Sequence, residues 1–92
     1  MHTFTIDCAA TTDEASFWQA YVKEVQPEGA NRFGRNLDAF WDAVSGGGPG
    51  WPGECELRFT NTSHLKAINE GAFLEALTRI ARESQSVRVV LL

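Results

Sequence analysis

Three short segments with strand character, separated by helical patterns, place the strongest limit on what this chain can fold into. They lie at residues 3–7, 54–59 and 87–92. The first two alternate apolar and polar side chains, as half-buried strands do. The third is an apolar run broken only by Arg88, and this pattern predicts the most buried strand of the three.

Helical patterns fill the intervals between these strands. Thr11 and Glu14 fit a capping box, and the helix that follows must end before Pro27, because a residue that precedes proline avoids helical backbone. A central amphipathic helix is predicted with Asn36 as its N-cap and Gly46 as its stop. Two further helices are predicted at residues 63–70 and 72–83.

This order of elements predicts an α/β fold. Strands joined by helices form parallel sheets with right-handed crossovers. We therefore expect a small sandwich in which a three-stranded parallel sheet packs with about four helices. The 92 residues, of which 43% are hydrophobic, are expected to form one domain with one core, and Trp18 and Tyr21 are assigned to that core.

The net charge of −4 narrows the class of partner. A negative chain is poorly suited to neutralising nucleic-acid phosphates, whereas its field would steer a basic protein towards it. No apolar run approaches the roughly 18 residues of a membrane span, and the first residues lack the pattern of a secretory signal. A cytoplasmic protein that binds another protein, with no nucleic-acid or membrane partner, is the expectation.

Features that resemble cofactor sites are weak in this sequence. Cys8 and Cys55 are expected to be reduced structural thiols, and with two distant histidines they supply too few ligands for zinc. His64 is expected to be exposed rather than catalytic. The glycine-rich connection at residues 46–53 is followed by neither a lysine nor a helix, unlike a phosphate-binding loop. No cofactor or metal is predicted.

Two aspartates on the central helix are the unusual feature of the chain. Asp38 and Asp42 lie one turn apart beside Trp41, and no cation follows Asp42 within reach. Like charges at this spacing repel, and the helix dipole disfavours an acid near the C-terminus. Such a pair suggests a surface that awaits a cationic partner. The alternative from geometry alone is a solvated helix face without a partner.

The residues around this pair resemble the signature of a known family. Phe33-Gly34-x-Asn36-Leu37-Asp38-Ala39-x-Trp41-Asp42-Ala43 resembles the motif of the barstar family, the intracellular protein inhibitors of secreted guanyl-specific ribonucleases of microbes. A weaker similarity covers nearly the whole chain, including Pro52, the segment 56–58 and the segment 87–91. The family fold is a three-stranded parallel sheet with helices, in agreement with the predicted order of elements.

The resemblance implies inhibition by blocking an active site, without catalysis. In the family, the helix and the loop before it enter the ribonuclease, with the position of Asp42 in the phosphate site and that of Asp38 beside an arginine. A carboxylate can imitate phosphate oxygens and accept paired bonds from arginine. The implied partner is a secreted guanyl-specific bacterial ribonuclease, bound as a 1:1 heterodimer. The predicted contact residues are Arg32, Phe33, Gly34, Asn36, Leu37, Asp38, Trp41, Asp42, Ser45 and Gly46.

The sequence departs from the family pattern at three positions. Arg32 stands where the better-known member of the family has an aromatic residue, and Arg79 aligns with an acid on that member's last helix. Trp51 follows a longer glycine-rich connection than the family's equivalent tryptophan does. These differences imply a less basic partner, with acids of its own facing Arg32 or Arg79.

Two other functions stay open. The same fold can bind a different nuclease or a regulatory protein through the same helix. Alternatively, Asp38 and Asp42 can be read as metal ligands or as an acid–base pair of an enzyme, although such sites usually need further acids and a cleft.

Overall fold

The computed structural model describes residues 2–92 and shows the predicted alternation of strands and helices. Its three strands form one parallel sheet in the order β1-β2-β3. The predicted α/β fold with a three-stranded parallel sheet is therefore confirmed. The elements are β1 (His2–Asp7), α1 (Glu14–Val25), α2 (Leu37–Gly46), β2 (Cys55–Thr60), α3 (Ala72–Glu83) and β3 (Arg88–Leu91).

β2 is the central and most buried strand. Its inward side chains Cys55, Leu57 and Phe59 are at most 1% exposed. The prediction that the last strand would be the most buried is wrong. β3 lies at an edge of the sheet, and Val89 is the one residue of this strand with less than a tenth of its surface exposed. An apolar run reports hydrophobicity, but the position of a strand in the sheet is set by its connections.

The helices cover one face of the sheet. Right-handed crossovers from β1 to β2 and from β2 to β3 place their helices on the same side. Beneath them lies a cluster of aromatic rings in which Phe17 stacks on Phe59 at 5.2 Å and Trp18 contacts Phe40 at 5.4 Å between ring centroids. Trp18 and Tyr21 are at most 1% exposed, so their assignment to the core is confirmed.

α1 begins two residues later than a capping box formed by Thr11 and Glu14 would require. Asp13 is the N-cap: its Oδ1 accepts a hydrogen bond from Ser16 N at 2.8 Å, and Ser16 Oγ accepts one from Asp13 N at 3.2 Å. Thr11, predicted as the cap, is buried instead. The predicted C-terminus is confirmed, because Gln26 ends the helix with left-handed backbone (φ 50°) before Pro27.

The helix count is lower than predicted. The structure has three α-helices and two 3₁₀ segments, Ala30–Arg32 and Thr62–Gly71, rather than about four helices. The segment predicted as a helix at 63–70 is the second 3₁₀ segment, and it is broken where Ile68 is extended and Asn69 and Glu70 are left-handed. The longest α-helices have 12 residues, and no helix among residues 2–92 is both long and apolar enough to cross a membrane.

The two cysteines lie at opposite ends of the β1–β2 ladder. Cys8 N donates to Thr60 O at 2.9 Å, whereas Cys55 is in register with His2. Six residues of extended strand separate these levels by roughly 20 Å, far more than the ~7 Å that a disulfide tolerates between Cα atoms. Both thiols are free and buried, as expected from the sequence.

Candidate protein-binding face

α2 is held at both ends by side-chain and backbone caps. Asn36 is the N-cap, as predicted, and its Oδ1 accepts a hydrogen bond from Ala39 N at 2.7 Å. The helix runs one residue further than predicted: Gly46 is still helical, and Gly47 (φ 73°) is the C-cap. The N–H groups of Gly47 and Gly48 then close the helix on the carbonyls of Ala43 and Asp42, each at 3.2 Å. These caps fix the direction of the helix on the core.

The helix buries one face and presents the other. Phe40, Ala43 and Val44 are fully buried, and Leu37 is half-buried against the core. Trp41 lies at the border of this buried face, with 37% of its surface exposed. An indole at the border of a buried face offers a rigid apolar contact area to a partner.

The acidic pair lies on the exposed face of α2 without a counter-charge. Asp38 and Asp42 are both exposed. Across residues 2–92 neither forms a salt bridge, since the ion pairs found there join Glu56 to Arg58 and to Arg88. Ser45, one turn after Trp41, gives its hydroxyl proton to the Trp41 carbonyl and not to a carboxylate. Both carboxylates are therefore solvated by water and available to external cations.

The loop before α2 is anchored by Phe33 from below. Phe33 is only 6% exposed and meets Trp18 and Tyr21 in the aromatic cluster, with centroids at 5.6 and 5.7 Å. Gly50 passes so close that a Cβ there would lie 2.6 Å from Phe33 Cδ1. The Phe33 side chain thus supports the predicted contact face rather than lying on it.

A second loop is bound to the first one beside the C-terminus of α2. Glu28 N donates to Trp51 O at 3.1 Å, and Gly50 N donates to Glu28 O at 2.8 Å. Tyr21 Oη, from inside the core, donates to Gly50 O at 2.7 Å. The glycine-rich connection is therefore fixed to the preceding loop. Between them lies a cleft of ≈ 240 Å³, lined by Glu28, Gly29, Arg32, Gly47, Gly48, Pro49 and Trp51.

Most of the predicted contact residues are exposed, on α2 itself and on the loop before it. The exposed members are Arg32, Gly34, Asn36, Asp38, Trp41, Asp42, Ser45 and Gly46. Leu37 is half-buried, and Phe33 lies beneath them. We refer to this surface, together with Leu37, as the α2 face.

Three residues at the end of α3 and just after it adjoin the α2 face, although the sequence did not predict them as contact residues. Glu83, Gln85 and Ser86 line a shallow cleft of ≈ 280 Å³ with Trp41 and Ser45. No local sequence signal points to them, because the chain returns to Trp41 only after some 40 residues. They extend the polar surface next to the indole.

The metal-site alternative receives no support from this geometry. Within residues 2–92, no three or more His, Cys, Asp or Glu side chains are grouped so as to hold a metal ion. Asp38 and Asp42 are the two acids of the α2 face, and Glu83 adjoins that face at Trp41 and Ser45 without completing a metal-binding group. The site is suited to binding a cationic surface.

The comparison with protein families gives one match. The family model described as "Barstar (barnase inhibitor)" matches residues 1–90. No curated protein matches the chain. The matched range includes every residue of the α2 face.

Proposed function

This chain belongs to the barstar family, and on that premise we propose that it inhibits a ribonuclease by inserting the α2 face into the enzyme's active site. The observation that carries the proposal is the acidic pair Asp38 and Asp42, exposed and without an ion-pair partner within the described part of the chain. An active site that binds RNA phosphates presents cations, which attract a pair of exposed carboxylates.

Asp42 is proposed as the phosphate mimic. Its side chain is exposed in the last turns of α2, and its main-chain carbonyl accepts the Gly48 N–H at 3.2 Å where the helix ends. A carboxylate accepts paired N–H bonds from an arginine guanidinium in the manner of two phosphate oxygens. Once buried, that charge is stable only if fully paired, so affinity depends on the enzyme's cations.

Asp38 is proposed to bind a second cation at the edge of the same site. It lies one turn before Asp42, in the first turn of α2, where the helix dipole already favours an anion. Its pairing is therefore expected to add less than that of Asp42. Trp41 and Leu37 flank the acids and would exclude water around them.

The proposed partner is a secreted guanyl-specific ribonuclease, bound 1:1 in the cytoplasm of the cell that makes it. The exposed Arg32 on the α2 face and Arg79 on α3 favour an enzyme with acidic side chains near its cationic site. This chain is proposed to act without catalysis and without a cofactor.

The test is a titration of the protein into guanyl-specific ribonucleases while RNA cleavage is followed. Stoichiometric loss of cleavage that weakens with added salt is expected, because exposed charges are screened. Stoichiometric inhibition that is unchanged by salt would contradict the electrostatic part. No inhibition across several such enzymes would favour the second binding hypothesis, in which the same fold serves another nuclease or a regulatory protein.

Asp42→Asn separates the proposed mechanism from a general charge effect. Leaving an enzyme arginine buried without its partner is expected to cost about 3–5 kcal/mol, which is a hundredfold or greater loss of affinity. Glu24→Gln removes the same charge from an exposed site on α1 and is the matched control. Equal inhibition constants for the two variants would contradict the assignment of Asp42.

A further inference from the structure

The outer edge of β3 carries unpaired main-chain groups. Leu92 N donates to Phe59 O at 2.8 Å, and Leu92 O accepts from Thr62 N at 3.2 Å, so the main-chain groups of Leu92 face β2. Successive residues of a strand turn these groups to opposite sides. The N–H and C=O groups of Val89 and Leu91 therefore face away from β2, where residues 2–92 supply no further strand.

A groove of ≈ 650 Å³ runs along this edge. One wall is the C-terminal turn of α3 with Ala81, Ser84 and Gln85, and the other is β3 itself. Ser84 Oγ donates to Val87 O at 2.6 Å, which satisfies the carbonyl at the entrance, so the free groups begin at Val89. Such a groove can hold one extended segment beside the strand.

Positive charge borders the groove. Arg88 is the only charged residue among those lining it. Its Nε lies 3.3 Å from Glu56 Oε1, and Arg58 Nε lies 2.6 Å from Oε2 of the same carboxylate. Two guanidinium groups thus share one carboxylate, and their side chains are 72% and 49% exposed. A net positive patch on a chain of charge −4 selects for negative partners.

β3 is short and carries Arg88, but it lacks other usual protections of an edge strand. Edge strands commonly carry a proline or a bulge, or point a charge inwards. The sequence of β3 is Arg-Val-Val-Leu, and its register with β2 is uninterrupted. Arg88 is drawn back over the outer face of the sheet by Glu56, which leaves the edge itself accessible.

We propose that the open edge of β3 is a docking site for an extended acidic segment of a partner protein, which adds to the sheet as a fourth strand. Main-chain bonds to Val89 and Leu91 would supply affinity, as in other cases of strand addition. An acidic side chain on the outer face would pair with Arg88, and apolar side chains on the inner face would cover Ala81. This site uses none of the residues assigned to ribonuclease inhibition.

A capped hexapeptide of alternating glutamate and valine is the probe, titrated into the isotope-labelled protein. Binding is expected to slow the hydrogen exchange of the Val89 and Leu91 amides. Thr3 and Thr5 serve as an internal control: Cys8 N bonds to β2, so by the same alternation their amides lie on the free edge of β1. Their exchange should not change.

Arg88→Glu tests the charge selection. It should weaken binding of the glutamate peptide by at least about tenfold and favour the lysine–valine counterpart, because like charges now face each other. Arg82→Glu changes the same charge on exposed α3, outside the groove lining, and is the matched control. Equal binding of the two peptides by the parent protein would overturn the proposal, as would an unchanged preference in Arg88→Glu.

Leu91→Pro tests the strand pairing separately. Proline removes one N–H from the free edge and no hydrogen bond to β2. Circular dichroism should therefore show a folded protein, and the titration should show that peptide binding is lost. A folded variant that binds normally would overturn strand addition, and if the variant unfolds, Arg88→Glu still decides. Concentration-dependent protection of the same amides without peptide would assign the edge to a second copy of the chain instead. Asp42→Asn should leave peptide binding unchanged, whatever it does to inhibition.

Discussion

At the scale of the residue, the acidic pair on α2 sets binding against stability. The charge of Asp42 is disfavoured twice: by repulsion from Asp38 one turn away, and by the helix dipole near the C-terminus of α2. We expect Asp42→Asn to raise the free energy of unfolding by about 0.2–0.5 kcal/mol while it weakens inhibition. Urea unfolding beside the Glu24→Gln control checks this. A clear loss of stability would show that Asp42 supports the fold.

Asp7 makes stability depend on pH in the acid range. Its Oδ1 accepts hydrogen bonds from Asn61 Nδ2 at 2.8 Å and from Ala9 N at 2.9 Å. The bond from Asn61, followed by that from Ala9, lowers the pKa of Asp7 below its ordinary value of 3.8. A carboxyl with a lower pKa in the folded than in the unfolded state stabilises the fold above the unfolded pKa, and this stability is lost as pH falls through the folded pKa.

Asp7→Asn should therefore flatten the decline of the unfolding free energy between about pH 5 and pH 2. Hydrogen bonds from Ser16 also lower the pKa of Asp13, so Asp13→Asn should remove a further part of the slope. Urea unfolding across this range measures both. An unchanged slope in the double variant would contradict the assignment of these hydrogen bonds.

At the scale of the element, the close approach of Gly50 to Phe33 holds the loops of the α2 face together. A Cβ at Gly50 would lie 2.6 Å from the Phe33 ring, at a backbone φ of +96°. We expect Gly50→Ala to destabilise the protein by about 1–3 kcal/mol and to weaken inhibition, because the ring must move.

Gly53→Ala is the matched control for this substitution. Gly53 has a similar φ of +88°, but a Cβ there would meet nothing within 4 Å. Its cost is backbone strain alone, so the difference between the two variants in thermal or urea unfolding measures the Phe33 contact. Equal losses would show that Phe33 accommodates the methyl group.

Elements that depend on local patterns were predictable from the sequence. Residues 72–83 were predicted as a helix and form α3, because a strongly amphipathic pattern and Gly71 before it specify both the face and the start. Residues 63–70 were not correctly predicted, because left-handed backbone at Asn69 and Glu70 interrupts a segment whose apolar spacing still suits a helix. Periodicity records burial but does not record such interruptions.

The same distinction applies to the α2 face. The positions of Asp38, Trp41 and Asp42 on one exposed surface follow from helical spacing and were predictable. The burial of Phe33 and the approach of Gln85 to Trp41 depend on contacts between distant parts of the chain. A sequence motif groups residues by their order along the chain, and only the fold shows which of them support the surface from inside.

At the scale of the whole molecule, the acidic pair of α2 and the arginine pair that shares Glu56 lie on different surfaces. Asp38 and Asp42 lie on the exposed side of α2, whereas Arg58 and Arg88 lie on the face of the sheet that no helix covers. On the proposed function, the unpaired acids of α2 would steer a cationic enzyme site towards this helix at low ionic strength, and less so as salt is added. The two proposed surfaces approach each other at Gln85, which lines both the groove of β3 and the cleft at Trp41.

The two buried cysteines can report local opening of the sheet through their rates of alkylation. Burial, with the Asp7 carboxylate, raises the pKa of Cys8 to about 11, and burial also raises the pKa of Cys55. Since the thiolate is the reactive form, alkylating reagents reach either sulfur only when its surroundings open. One thiol stands at each end of the β1–β2 ladder. The separate alkylation rates of Cys8 and Cys55 therefore measure how often each end of the sheet opens, and no substitution in the chain is needed.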